Sequence, residues 1–164
     1  MQSITIRRAV ASDADRLTSL VGGSGAYRGH YASIIAGYRV TADYIARHRV
    51  FAAVDAGDEP LGFYALVLDP PELDLAFVAD EAQGSGVGRI LIEHMIGEAG
   101  RAGLTAVRVV AHPPAEAFYR RLGATRVGTI APSPPKIGWE RPELRFTIPP
   151  GLRRQVDLER APGC

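Results

Sequence analysis

Cysteine is all but missing from this chain: of 164 residues only the last, Cys164, carries a thiol. A lone cysteine makes no internal disulfide and no Cys-ligated metal site. Long apolar runs are missing too. Leu61 to Leu68 falls far short of the roughly 20 residues that cross a bilayer. Met1 to Arg8 shows no basic stretch followed by an apolar one, so no signal peptide is expected. Charge of one sign is also lacking: 19 Lys plus Arg against 18 Asp plus Glu leaves a net +1. That field is too weak to recruit nucleic acid or an anionic membrane. Lysine occurs once, at Lys136. His30, His48, His94 and His112 show no metal-ligand spacing, so no metal is expected.

What is present is globular in character, with 46% hydrophobic and 23% charged residues. One domain over 1–148 with a tail over 149–164, soluble and cytoplasmic, is the expectation. Ser3 to Arg7 alternates as a strand does. Ser12 to Asp15 can cap a helix that carries Leu17, Leu20 and Val21 and ends at Gly22-Gly23. Tyr27, Tyr31, Ile34, Ile35 and Tyr38 keep a helical period, and Thr41 can cap a short helix holding Tyr44 and Ile45. Val50 to Val54 and Leu61 to Leu68 predict an antiparallel hairpin, and Leu73 to Val78 a further strand. A helix over Val87 to Ala99, a strand over Thr105 to Ala111 and a short helix over Ala115 to Leu122 follow. Strands over Thr125 to Ile130 and Glu143 to Ile148 complete the order β, α, α, β, β, β, α, β, α, β, β. Such an order fits a mixed α/β sheet with helices on both faces.

The most informative stretch runs from Phe77 to Leu91, where an apolar strand enters the glycine-rich turn Gly84-Ser85-Gly86-Val87-Gly88 and continues into an amphipathic helix. Glycines admit positive φ and close backbone approach, and the first turn of a helix offers amides without intrahelical partners. Together they suit an anion, most naturally phosphate. The turn is not a Walker loop, since Gly88 is followed by Arg89-Ile90 rather than lysine and a hydroxyl residue. Nor is it the dinucleotide fingerprint, which needs G-x-G-x-x-G after the first strand of a βαβ unit.

Gln83-Gly84-Ser85-Gly86-Val87-Gly88 and, downstream, Ala115-Glu116-Ala117-Phe118-Tyr119-Arg120-Arg121-Leu122-Gly123-Ala124 together resemble the two motifs of the GCN5-related N-acetyltransferase (GNAT) superfamily. The resemblance runs from about Ser3 to Ile148 and implies a mostly antiparallel sheet of six to seven strands, splayed between strands 4 and 5. It implies acetyl-CoA as co-substrate and a primary amine (small molecule, amino acid or protein N-terminus) as acceptor. The pyrophosphate would rest on Gly84, Ser85, Gly86, Val87 and Gly88, with Gln83 and Arg89 beside it. Pantetheine would pair with the backbone of Ala76, Phe77 and Val78. Tyr119 matches the tyrosine that protonates the leaving thiolate, and Glu72 the glutamate that helps deprotonate the amine. Asp74 or a water chain are alternatives for that base, and on a regular strand Asp74 shares a face with Glu72. His112 stands where relatives frequently carry Asn or Asp. Tyr27 and Tyr31 are candidates for the acceptor wall, and the loop Ser133 to Lys136 with Trp139 for its mouth. Direct attack without a covalent enzyme intermediate agrees with the lack of any cysteine outside the tail. A homodimer, with Leu152 to Leu158 supplying contacts, belongs to the same set of expectations. A non-catalytic acyl-CoA-binding module of the same fold is the alternative.

Overall fold

A computed structural model describes residues 3–27 and 29–150. The segment Leu152 to Leu158 and Cys164 lie outside the described residues. Seven strands form one sheet in the order β1-β2-β3-β4-β5-β7-β6. They are β1 (Thr5–Arg8), β2 (Arg49–Val54), β3 (Pro60–Leu68), β4 (Pro71–Val78), β5 (Ala106–Val110), β6 (Thr125–Ile130) and β7 (Arg141–Thr147). The helices are α1 (Ala14–Gly22), α2 (Ala42–Arg47), α3 (Val87–Arg101) and α4 (Glu116–Arg121). Every neighbouring pair is antiparallel except β4 and β5, which run parallel.

The parallel contact is brief. Its ladder consists of Glu72 against Arg108, and beyond it the two strands part. From Leu73 to Val78 one edge of β4 is therefore left open to a cleft, as expected for a sheet splayed between its fourth and fifth strands.

Each face of the sheet carries its own apolar core. Val87, Leu91, Ile92, Met95 and Ala99 of α3 pack with Tyr119 of α4 on one side. Leu17 and Val21 of α1 and Ile45 of α2 pack on the other. Full burial of such an aliphatic side chain contributes about 1.5–3 kcal/mol, so the stripe read from α3 is enough to seat that helix. It sits unusually close at Gly62, where an added Cβ would lie 2.8 Å from the Phe77 carbonyl oxygen and 3.0 Å from Leu91.

Two expectations need correction. Residues 25–27 and 29–38 form no α-helix but two 3-10 turns, Gly25–Tyr27 and Gly29–Ile34. Glycines at 25, 29 and 37 interrupt the segment, and the Gly25 amide donates instead to the Asp80 carboxylate at 2.9 Å. The second correction concerns β4, which begins two residues early and is not regular. Ala65 pairs with Leu75 and Leu66 with Leu73, so Asp74 is the extra residue of a β-bulge. Leu73 consequently joins the core under α3, whereas Leu75 and Phe77 join the opposite one. A strict alternation would have put all three on one face.

Candidate active site

A cavity of about 860 Å³ occupies the cleft between β4 and β5. Its volume is that of a site for a sizeable organic ligand. Leu73 to Val78 form one wall and Val109 to His112 the other, and the glycine turn closes one end.

That turn is built from backbone. The chain leaves β4 at Val78, makes a 3-10 turn over Asp80–Ala82 and enters α3 through Gly86, the N-cap residue. Gly84 and Gly86 have φ of 82° and 87°, the left-handed region that glycine enters without strain. No atom lies within 4 Å of a Cβ built on either, so the concave side of the turn is open. The helical ladder begins with Ile90 N–H on the Gly86 carbonyl. The amides of Val87, Gly88 and Arg89 thus have no intrahelical acceptor. Gln83 ties the turn back by donating from Nε2 to the Val78 carbonyl at 3.4 Å.

Not every group of the turn is open. Ser85 N–H donates to the Ala82 carbonyl at 3.3 Å and its hydroxyl donates to the same oxygen. Gly84, Gly86, Gly88 and Arg89 line the cavity; Ser85 and the buried Val87 side chain do not. Arg89 is exposed and pairs with Glu93 at 2.8 Å, one turn along α3.

Tyr119 comes to the cleft from α4, on the same side of the sheet as α3, and is 8% exposed. Burial drives its phenol well above the ordinary tyrosine range, and the Tyr27 hydroxyl adds to the effect. A phenol that resists ionisation keeps its proton available for a strong base nearby. Tyr27 arrives from the opposite side. Its ring stacks on His112 at 4.0 Å and tilts against Phe77 at 5.4 Å, so it touches both of the parted strands. Burial raises its pKa to about 12, with Arg141 opposing the shift. Tyr31 meets His112 and Trp139 edge-on at 4.5 and 5.0 Å. His112 is thus an imidazole packed between two tyrosines.

The two carboxylates differ in placement. Asp74, the bulged residue, lines the cavity and accepts a hydrogen bond from the Tyr44 hydroxyl. Glu72 stands behind it, outside the lining, with Arg108 at 3.7 Å. Burial raises the Glu72 pKa above the usual glutamate value; Arg108 works against this and Asp74 with it. Tyr44, half-buried and bonded to Asp74, is pushed far above the ordinary phenol range, and the Glu72 charge contributes.

Arg141 escapes a reading of the sequence. Ala111 N–H bonds to the Pro142 carbonyl at 3.0 Å, which sets Arg141 beside the end of β5 and in the cavity wall. No local motif announces it, because it is delivered by strand pairing across 30 residues. Its Nε is buried without a hydrogen-bond partner among the described residues.

Comparison with known proteins agrees with this geometry. The family model described as Acetyltransferase (GNAT) domain matches residues 30–130. The peptidyl-lysine N-acetyltransferase YjaB of Salmonella typhimurium is 29% identical over 100 residues, which are 61% of this chain and 62% of that protein. The chain therefore spans less than two thirds of the length of this curated relative. A GCN5-related N-acetyltransferase structure from Rhodopseudomonas palustris superposes with a TM-score of 0.72 at 20% identity, covering 90% of this chain and 98% of the other. PaiA N-acetyltransferase from Thermoplasma acidophilum, solved in complex with coenzyme A, gives 0.70 at 17% identity over 88% and 99%. At these identities the two structures speak for the fold. Splayed sheet, glycine turn and a family match over more than half of the sequence converge: the chain belongs to the GNAT acetyltransferases.

Proposed function

We propose that this protein transfers an acetyl group from acetyl-CoA to a primary amine by direct attack within a ternary complex. The single observation that carries the reading is the open glycine turn at the mouth of a cleft between parted strands, with Tyr119 facing it. The amides of Gly84, Gly86, Val87, Gly88 and Arg89 hold the pyrophosphate, each charge-assisted bond being worth about 1.5–3 kcal/mol. The free edge of β4 at Ala76, Phe77 and Val78 pairs with the pantetheine arm, as an added strand would. Acetyl-CoA supplies the activated acyl carbon; the chain's own groups do the proton work.

Asp74 and Glu72 draw the ammonium form of the acceptor to the cavity wall and relay its proton to solvent before attack, which frees the nitrogen lone pair. An N–H on the open edge of β4 near Val78 stabilises the acetyl oxygen as charge builds there. The C–N bond forms and the C–S bond breaks. Tyr119 gives its proton to the departing sulfur and recovers one from the nitrogen side, so one proton is released per turnover at neutral pH.

Incubation with acetyl-CoA and a broad panel of primary amines, read by thiol release, tests the reading. Amine-dependent release is expected, and Tyr119→Phe should slow it by about 10- to 100-fold while leaving the KM for acetyl-CoA within a factor of about two. Absence of release with every amine, together with no calorimetric signal for coenzyme A, would overturn it.

A further inference from the structure

The acceptor side of the cleft is electrically divided. Asp74 lines it at the bulge of β4, with Glu72 behind. Arg141 lines it from the far strand, next to His112 and the Trp139 loop. Arg121 of α4 and Lys136 also line the cavity, whereas the nearby Arg108 is already paired. Arg108 holds Glu143 at 2.6 Å and Glu72 at 3.7 Å. For Arg141 the described residues provide no carboxylate within ion-pair distance, although its Nε is shut away from water. A guanidinium in a cavity wall with no protein anion in reach is a binding point for an anionic ligand.

We infer that Arg141 binds the carboxylate of the acceptor, and that the acceptor is a small amino-carboxylate such as a free amino acid. This rests on the acetyl-transfer reading and narrows its substrate. An amine flanked by its own carboxylate matches the site at both ends: the ammonium turns to Asp74 and the carboxylate to the guanidinium fork. A lysine side chain within a protein offers the ammonium but leaves Arg141 without an anion.

The experiment compares free amino acids with their carboxamides as acceptors, for the parent protein and for Arg141→Gln and Arg141→Lys. The parent should favour the acid by about 10- to 100-fold in kcat/KM, the loss in Arg141→Gln should appear in acceptor KM and not in the KM for acetyl-CoA, and the variant should treat acid and amide alike. Arg141→Lys, which keeps the charge but not the fork, should lie between. Equal use of acid and amide by the parent would overturn the inference without needing any variant, as would acetylation by the parent of lysine in an end-blocked peptide as fast as of a free amino acid. A second readout separates this from the transfer reading itself: calorimetry of N-acetyl amino acids against N-acetyl amino amides in the presence of coenzyme A. If no amine is ever acetylated yet the acid binds and Arg141→Gln abolishes that binding, the anchor stands and the transfer reading falls. If transfer occurs and neither binding nor turnover prefers the acid, the anchor falls alone.

Discussion

The two sides of the cleft are made in different ways. On the side of α3 and α4 the functional groups are backbone amides of one continuous turn, followed by one phenol on a regular helix. On the opposite side they are side chains contributed by the 3-10 turns, α2, the bulge of β4, the end of β5 and the start of β7. On the proposed reading the first arrangement would hold the cofactor. The second can be altered one side chain at a time without disturbing the first, which is how one fold accommodates many acceptors.

Substitutions that act on one side only put this division to the test. Gly86→Asp should have the largest effect, raising the Kd for coenzyme A by about 100-fold or more, because several charge-assisted bonds are lost and a negative charge enters the nest. Gly86→Ala should pay only the left-handed backbone strain of about 1–2 kcal/mol, roughly tenfold in calorimetric affinity. If Gly86→Asp bound coenzyme A like the parent, the cofactor side would be misassigned. The carboxylates come next. With the Glu72 pKa raised by burial, kcat/KM should fall with slope one as the amine gains its proton, and steepen to slope two at a pH above the ordinary glutamate value of about 4.3. A pH profile of Glu72→Gln that keeps slope one throughout, and a drop of about tenfold near pH 7 in Asp74→Asn that recovers on the alkaline side, would assign the proton route. An unchanged profile in both would leave the route to water. Tyr27→Phe should have the smallest effect, about two- to fivefold in acceptor KM, because the stack on His112 and Phe77 survives and only the hydroxyl goes.

The same division explains what could be read in the sequence. The α3 stripe, the glycine turn and the Phe118-Tyr119 helix are local patterns, and each sits where its periodicity put it. The order of all eleven helices and strands is likewise as the periods imply. The acceptor side is not local. The helical period of Tyr27, Tyr31 and Tyr38 is present but three glycines defeat it, and those rings gather around His112 through tertiary packing. Asp74 is displaced from its expected phase by a bulge visible only in the pairing with β3. Arg141 reaches the cavity because β7 inserts between β5 and β6, a choice of topology that no window of residues contains.

The bulge at Asp74 has a wider implication. One supernumerary residue inverts the phase of the strand midway, so that a single β-strand furnishes hydrophobic ballast to both sides while projecting an acid at the point of inversion. Removing that residue would not merely delete a carboxylate; it would exchange the outlooks of Leu75 and Phe77 with those of Ala76 and Val78, or else drag the glycine turn out of step with its helix. A length change of one at this point is thus far more consequential than any replacement there, and the acid is free to diversify only within a fixed count.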